Sequence, residues 1–148
     1  MQDITTYTQD LLAHMGVTEA EVAVLEEDEN VVVQISVSDQ ESGMLIGHHG
    51  ETIAALQRMM NISFRDKAEE KRIVVNVNDY KQKREEVLKN MAHRFAERAI
   101  ESNVPQYLPF LPANERLIVH VELKDHPEVV TQSEGEGLQR RLVISLKN

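Results

Sequence analysis

A Gly-His-His-Gly segment at positions 47–50 separates two stretches of sequence whose apolar residues recur at helical spacing. The apolar residues before the segment are Met44, Leu45 and Ile46, and those after it are Ile53, Leu56, Met59, Met60 and Phe64. Intervals of three and four residues place side chains on one face of a helix. Glu51 and Thr52 suit the first turn of the second helix, where an acidic residue favours the helix dipole. The pattern predicts two helices joined by a Gly-x-x-Gly turn.

The rest of the first half has patterns that predict one more helix and a small sheet. Apolar residues at helical spacing predict a helix over residues 4–15, which Gly16 ends. Apolar residues alternate along residues 31–37 and therefore predict a strand with one buried face. Shorter apolar runs at 22–25 and 73–77 predict two further strands.

The second half begins with a long amphipathic pattern. A continuous apolar stripe predicts a helix from about residue 80 to residue 101, and strands are expected at 106–108 and 142–146. Residues 116–123 fit a strand by alternation and a helix by their apolar face, so the local pattern leaves both open. Residues 133–137 read Ser-Glu-Gly-Glu-Gly, a composition typical of a loop.

The composition excludes several classes of function. The 148 residues include no cysteine, which excludes disulfides, thiolate metal sites and thiol nucleophiles and fits a reducing cytoplasm. No apolar run approaches the ~18 residues that a membrane span needs, and the N-terminus has no signal-peptide pattern. The six histidines lack metal-ligand spacing, and no nucleotide-binding or Ser–His–Asp motif is present. We expect a cytoplasmic protein that is not an enzyme and uses no metal or cofactor.

Two acidic residues beside glycines, Glu134 and Glu136, have two explanations. Paired carboxylates can catalyse hydrolysis, but a position between glycines favours an acidic turn. We expect that turn to pair with Arg116 or Arg140.

The net charge of −9 lies entirely in the first half of the chain. Residues 1–78 carry five Lys/Arg against 14 Asp/Glu, whereas residues 79–148 carry 11 of each. A net negative charge by itself disfavours a nucleic-acid partner. The uneven distribution predicts two units with different surfaces, over residues 1–78 and 79–148.

The Gly-x-x-Gly turn has a structural and a functional explanation. It can serve only to join two helices, or its glycines can let a nucleic-acid backbone approach the first amides of the second helix. Residues 43–53 and the order of predicted elements resemble the type II KH domain, whose turn clamps about four nucleotides. His48 and His49 replace the Lys or Arg usual at the middle positions, and histidine is mostly neutral at pH 7.

Arg116 and His120 are separated by three residues, a spacing that brings two side chains to one face of a helix. They stand in the segment 112–120 and are followed by the loop at 133–137 and by Arg140 and Arg141. This combination resembles the R-3-H domain, which is named for its Arg and His. The resemblance implies a helical Arg–His segment that binds single-stranded nucleic acid, and it therefore favours a helix over residues 116–123.

A KH unit followed directly by an R-3-H unit resembles the Jag/KhpB family of bacterial RNA-binding proteins. Many members carry a further N-terminal Jag domain. Because this sequence starts at the KH unit, we expect a short form of the family. The resemblance implies binding of single-stranded RNA or single-stranded DNA, a second small KH protein as partner, and a role as a post-transcriptional regulator or RNA chaperone. The acidic first unit favours an alternative, an adaptor whose KH unit docks a partner protein while only the R-3-H unit contacts nucleic acid.

The resemblance also implies a fold class and a set of RNA-binding residues. We expect an α+β protein with a type II KH fold (αββααβ) over residues 1–78, then an R-3-H α/β fold with a small sheet and two helices over 79–148. In the KH unit, the glycines would admit the RNA backbone, amides of the next helix would bind phosphate, and two isoleucines would line a base groove. These KH residues are Ile46, Gly47, His48, His49, Gly50, Glu51, Thr52 and Ile53. The RNA contacts expected in the second unit are Arg116, His120, Arg140 and Arg141, supported by Lys83, Arg84, Arg94 and Arg98.

Overall fold

The computed structural model describes residues 2–66 and 70–148, which belong to two compact units, Met1–Lys81 and Gln82–Asn148. Helices and two three-stranded sheets place the protein in the expected α+β class. Within the described residues, no helix has both the length and the apolar character required to cross a membrane.

The first unit has the expected order of helix, strand, strand, helix, helix and strand. A single 3-10 turn, His48–Gly50, stands between the second and third helices. The Ser38 hydroxyl begins the second helix by accepting the Glu41 N–H (3.3 Å). The bounds are α1 Gln2–His14, β1 Glu21–Glu26, β2 Asn30–Ser36, α2 Asp39–Ile46, α3 Glu51–Ser63 and β3 Arg72–Val77.

Strand β2 is the central strand of the first sheet, antiparallel to β1 and parallel to β3. Val33 and Ile35 both lie in the core of this unit, which confirms the buried face predicted from the alternation of apolar residues. The helices α1, α2 and α3 contribute Leu12, Leu45 and Leu56 to the same core. The packing of α2 and α3 on the sheet fixes the position of the turn that joins them.

The second unit contains a long helix, a short helix and an antiparallel sheet in the order β4-β6-β5. Its elements are α4 Tyr80–Ser102, which begins in the last two residues of the first unit, β4 Gln106–Tyr107, α5 Ala113–Leu123, β5 Val129–Glu134 and β6 Arg141–Leu146. The core includes Leu88, Ala92, Ala96, Ala99, Leu108, Leu111, Val119, Leu123, Leu142 and Ile144.

Residues 116–123 are helical, as the R-3-H resemblance implies. Val119 and Leu123, four positions apart, are buried, while Val121 between them is 60% exposed. Burial therefore follows the period of a helix, although the β-branched composition favours a strand.

Strand β5 is missing from the sequence-based prediction. Val129 is buried, but the next five residues are mostly polar and lie at an edge of the sheet, so no apolar alternation marks them. The expected loop at 133–137 begins only after Glu134, and a 3-10 turn at Gly137–Gln139 leads towards β6.

Candidate functional site

The Gly-x-x-Gly turn joins α2 to α3 through left-handed backbone. Gly47, His49 and Gly50 have φ angles of 70°, 51° and 78°. Glycine adopts such angles without steric cost, whereas histidine adopts them uncommonly. His48 is exposed, and the centroid of its ring lies 3.9 Å from that of His49. The turn presents two adjacent imidazoles in place of a Lys or Arg.

Both glycines are required by contacts within the protein. A Cβ on Gly47 would collide with Thr52 Oγ1, and a Cβ on Gly50 would lie 3.0 Å from Tyr80 Cε1. Thr52 and Tyr80 therefore favour glycine at these two positions. The approach of an RNA backbone to Gly47 and Gly50 stays a prediction.

Three other residues expected to contact RNA at this turn make contacts within the fold. The Glu51 N–H, expected to bind phosphate, donates to the His48 carbonyl. Ile53, expected to line a base groove, is 3% exposed and belongs to the core, and half-buried Ile46 packs against that core. These contacts fix the turn on the core of the first unit, and the RNA contacts expected of Ile46, Glu51 and Ile53 stay predictions.

A shallow cleft between α5 and β5 brings together three of the residues predicted for the second unit. Arg116 and His120 project from one face of α5, and Arg140 lies just before β6. Among the described residues, the lining contains no carboxylate, although the whole chain has a net charge of −9. We call this the Arg–His cleft, and its lining is Ala113, Arg116, Leu117, His120, Thr131, Gln132, Ser133, Arg140 and Leu142.

Hydrogen bonds position the arginine and the histidine for which the domain is named. Arg116 Nη1 donates to the carbonyl oxygens of Leu111 (2.6 Å) and Arg140 (3.3 Å). His120 Nδ1 shares a hydrogen bond with Thr131 Oγ1, which joins α5 to β5 across the cleft. Arg116 therefore fixes the approach to α5 and the start of β6, while His120 is oriented by a hydroxyl.

The acidic turn does not pair with these arginines as expected. Arg140 Nη1 donates to the Gly135 carbonyl (2.9 Å), and the hydrogen bonds of Arg116 also go to carbonyl oxygens. Within residues 2–66 and 70–148, no ion pair joins either guanidinium to Glu134 or Glu136. The partners of Arg116 and Arg140 are main-chain carbonyl oxygens. A prediction based on opposite charges does not include such partners.

Arg84 makes an ion pair within the second unit. Its guanidinium makes two hydrogen bonds to the carboxylate of Glu115, Nε to Oε1 at 2.8 Å and Nη2 to Oε2 at 3.0 Å. Glu115 is buried, so this guanidinium compensates a negative charge removed from water. Arg84 therefore has a structural role, and its support of RNA binding stays a prediction.

The other cations predicted on α4 lie outside the Arg–His cleft. Lys83, Arg94 and Arg98 are all exposed, and none of them lines the cleft. The guanidinium of Arg98 lies over the ring of Phe95, with 5.3 Å from Cζ to the centroid. The structure thus separates these three residues from the pair Arg116 and His120.

Arg141 also lies outside the cleft lining, next to two aromatic side chains. Its Cζ is 5.3 Å from the ring centroid of Tyr107 and 4.8 Å from that of Phe110. The sequence prediction did not select these two aromatic residues. Each lies within three positions of a proline, which marks an irregular segment but does not reveal which side chains are exposed. The prediction also missed Thr131 and its neighbours in the cleft lining, because strand β5 was not recognised.

No group of three or more His, Cys, Asp or Glu side chains converges as metal ligands anywhere in the described part of the chain. A hydrogen bond between His93 Nε2 and Glu122 Oε1 (2.8 Å) joins α4 to α5 at the surface and involves only these two side chains.

The fold and the two sites define a tandem arrangement of a KH-like unit and an R-3-H unit. The family model described as the KH domain of KhpA/KhpB matches residues 1–77, and the model of the R-3-H domain matches residues 86–146. The first of these alone covers more than half of the chain. The chain belongs to the KhpB/Jag family.

Curated relatives support the same family. The chain is similar to the RNA-binding protein KhpB of Lactiplantibacillus plantarum, 31% identical over 119 residues, which cover 80% of this chain and 37% of the relative. It is 30% identical over 118 residues to RNA-binding protein KhpB of Bacillus subtilis, covering 78% and 57%. With the protein of that name from Streptococcus pneumoniae the identity is 28% over 144 residues, covering 96% and 43%. The chain spans about half the length of the relatives that it matches.

Proposed function

We propose that this chain binds single-stranded RNA and that the Arg–His cleft is its principal contact. The observation that carries the proposal is the cleft lining, where Arg116, His120 and Arg140 meet hydroxyl and amide side chains with no carboxylate among the described residues. Each nucleotide carries one negative phosphate, and guanidinium groups bind phosphate through charge-assisted hydrogen bonds. A cationic cleft in an acidic protein concentrates that attraction at one place.

The three residues have different roles in this proposal. Arg140 is exposed and contacts phosphate directly. Arg116, which is half-buried and bonded to two carbonyl oxygens, is a positioning residue that also adds positive charge. His120 has Nδ1 engaged by Thr131, so Nε2 is the nitrogen through which it meets the ligand.

The relatives' names support RNA as the ligand, since each is called an RNA-binding protein. We propose that the chain acts in the cytoplasm of a bacterium as a post-transcriptional regulator or RNA chaperone. A second small KH protein is the partner that the KhpA/KhpB family suggests.

A second candidate function is favoured by the charge of the first unit. The β1–β2 connection carries the acidic run Glu27-Asp28-Glu29, and the turn carries His48 and His49 with no Lys or Arg. An acidic surface repels phosphate and suits a basic protein surface. In this adaptor function, the KH unit docks a partner protein and only the second unit contacts RNA.

The salt dependence of RNA affinity tests the proposal. Arg140→Gln removes a charge from the cleft, and Lys124→Gln is the matched control because Lys124 is exposed at the end of α5 and outside the lining. For a single-stranded ligand, losing one phosphate contact lowers the slope of log K against log salt by about 0.7. We expect this loss for Arg140→Gln and a near-parental slope for the control. Equal slopes in the two variants, or a parent protein that does not bind single-stranded RNA, would refute the proposal.

A further inference from the structure

The second unit exposes two aromatic side chains in a protein that has few of them. The chain has three Phe and three Tyr, and the other four are buried or half-buried. Tyr107 and Phe110 are 51% and 48% exposed. Leu108 and Leu111, from the same segment, belong to the core. The segment therefore directs its aliphatic side chains inwards and its aromatic ones outwards, although burial would stabilise a large ring more.

Tyr107, Phe110 and the guanidinium of Arg141 form one surface. Tyr107 pairs with Val143 in the register of β4 and β6, and Arg141 is two residues from Val143, so Tyr107 and Arg141 share a face of the sheet. The core residues Leu142 and Ile144 occupy the other face. The Arg141 Cζ lies within 5.3 Å of both ring centroids, which is the range of cation–π attraction.

Hydrogen bonds hold this surface in place without RNA. Arg141 Nε donates to the Leu108 carbonyl (3.0 Å), and Arg116 Nη1 donates to the Leu111 carbonyl (2.6 Å). The two arginines thus fix both ends of the segment that carries the aromatic side chains. A rigid aromatic surface loses little conformational entropy on binding.

We infer that Tyr107, Phe110 and Arg141 form a stacking platform for an unpaired nucleobase, an inference that rests on the proposed RNA binding. Proteins that hold single strands without sequence preference combine cations with aromatic faces on which bases stack. Arg140 of the Arg–His cleft immediately precedes Arg141 in the chain. Leu142, which also lines the cleft, lies on the sheet face opposite Arg141, so a single strand that contacts both sites passes around the start of β6.

The chemistry of the platform favours a base over an apolar protein segment. An aliphatic side chain placed here would remove water from the Arg141 guanidinium and offer it no acceptor. A base offers a π face to the rings and ring or carbonyl acceptors to the guanidinium. The same sheet face carries Gln132 and the acidic Glu134, which pair with Val143 and Arg141 in the register of β5 and β6, so this face is not an apolar one.

Abasic oligonucleotides separate stacking from phosphate binding. Affinity is measured for a single-stranded oligonucleotide and for an abasic one of equal length, so the difference reports contacts to bases. The test variant is the double change Tyr107→Leu with Phe110→Leu, and its control is the aromatic exchange Tyr107→Phe with Phe110→Tyr. We expect the parent and the control to prefer the oligonucleotide with bases at least about fivefold, the lower end of base–aromatic stacking. The leucine variant should lose that preference while keeping its affinity for the abasic strand.

The outcomes distinguish failure of the platform from failure of RNA binding. A leucine variant that keeps the base preference, or a parent that binds both strands equally, overturns the platform and leaves phosphate binding intact. A parent that binds neither strand overturns both. Should the leucine variant fail to fold, photocrosslinking of the parent to an oligonucleotide carrying 5-iodouridine decides. Crosslinks at Tyr107 or Phe110 support the platform, and crosslinks only elsewhere overturn it.

Discussion

The guanidinium of Arg84 and the carboxylate of Glu115 form a two-point ion pair between α4 and the first turn of α5. The bonded distances are 2.8 Å and 3.0 Å, and the Glu115 side chain is 4% exposed. Glu115 immediately precedes Arg116, so the pair fixes the beginning of the helix that carries the Arg–His face. Arg84 therefore compensates a buried charge, whether or not it also supports RNA binding as the sequence predicted.

Removing the guanidinium should destabilise the second unit. Arg84→Met leaves the Glu115 carboxylate buried without its counter-ion, and such losses cost about 3 kcal/mol. Thermal unfolding followed by circular dichroism should show a lower melting temperature. Lys83→Met is the matched control, since Lys83 is exposed beside Arg84 and its loss should change the unfolding free energy by less than about 0.5 kcal/mol. Equal melting temperatures for the two variants would contradict a structural role for the pair.

The glycines of the turn should be required for folding stability as well as for any ligand. Gly47→Ala imposes a Cβ in a left-handed residue and against Thr52, so we expect a loss of about 1–3 kcal/mol. Gly43→Ala is a control in helix α2, where the new Cβ would meet nothing within 4 Å, and it should stabilise by about 0.5–1 kcal/mol. Chemical denaturation of both variants measures the difference. A Gly47→Ala protein as stable as the parent would show that the turn relaxes easily.

Acidic substitutions in the turn test whether the KH unit touches RNA. Replacing His48 and His49 with Asp adds two negative charges at an exposed and a half-buried position. If phosphate lies beside the turn, RNA affinity should fall severalfold with little change in melting temperature. Unchanged affinity would support the adaptor function, in which only the second unit contacts RNA.

His120 should contribute to RNA affinity through Nε2, since Nδ1 is hydrogen-bonded to Thr131. His120→Gln should therefore weaken RNA binding severalfold, whereas the double change His48→Gln with His49→Gln should leave the affinity nearly parental. Fluorescence anisotropy gives the three affinities. A parental affinity for His120→Gln together with a large loss for the double variant would move the binding site to the KH turn.

Much of the fold was predictable because the spacing of apolar residues in the sequence matches the residues that are buried in the cores. The alternation of Val33 and Ile35 and the apolar stripe of α4 each specified an element that the structure contains. Local pattern did not decide between strand and helix for α5, whose β-branched residues favour a strand, and the family resemblance favoured the helix that the structure contains. The local pattern failed for β5, because an edge strand with a single buried residue, Val129, carries no apolar signal.

The candidate site was less predictable than the fold, since residue type does not reveal which partner a side chain takes. Arg84, Arg116 and Arg141 were all predicted from the sequence to contact RNA or to support that contact. The structure assigns one to a buried carboxylate, one to two main-chain carbonyls, and one to a pair of aromatic rings. Those partners come from other elements of the unit, so only the tertiary structure distinguishes the three.

Backbone amide chemical shifts of the full chain, followed while single-stranded RNA is added, test most directly whether the Arg–His cleft is the principal RNA contact. We predict that the largest changes occur at Arg116, His120, Arg140 and the neighbouring residues 131–133 of β5. Changes at residues 47–52 should be smaller or require more RNA. Changes confined to residues 47–52, with the cleft unaffected at saturation, would contradict the account and return RNA binding to the KH turn.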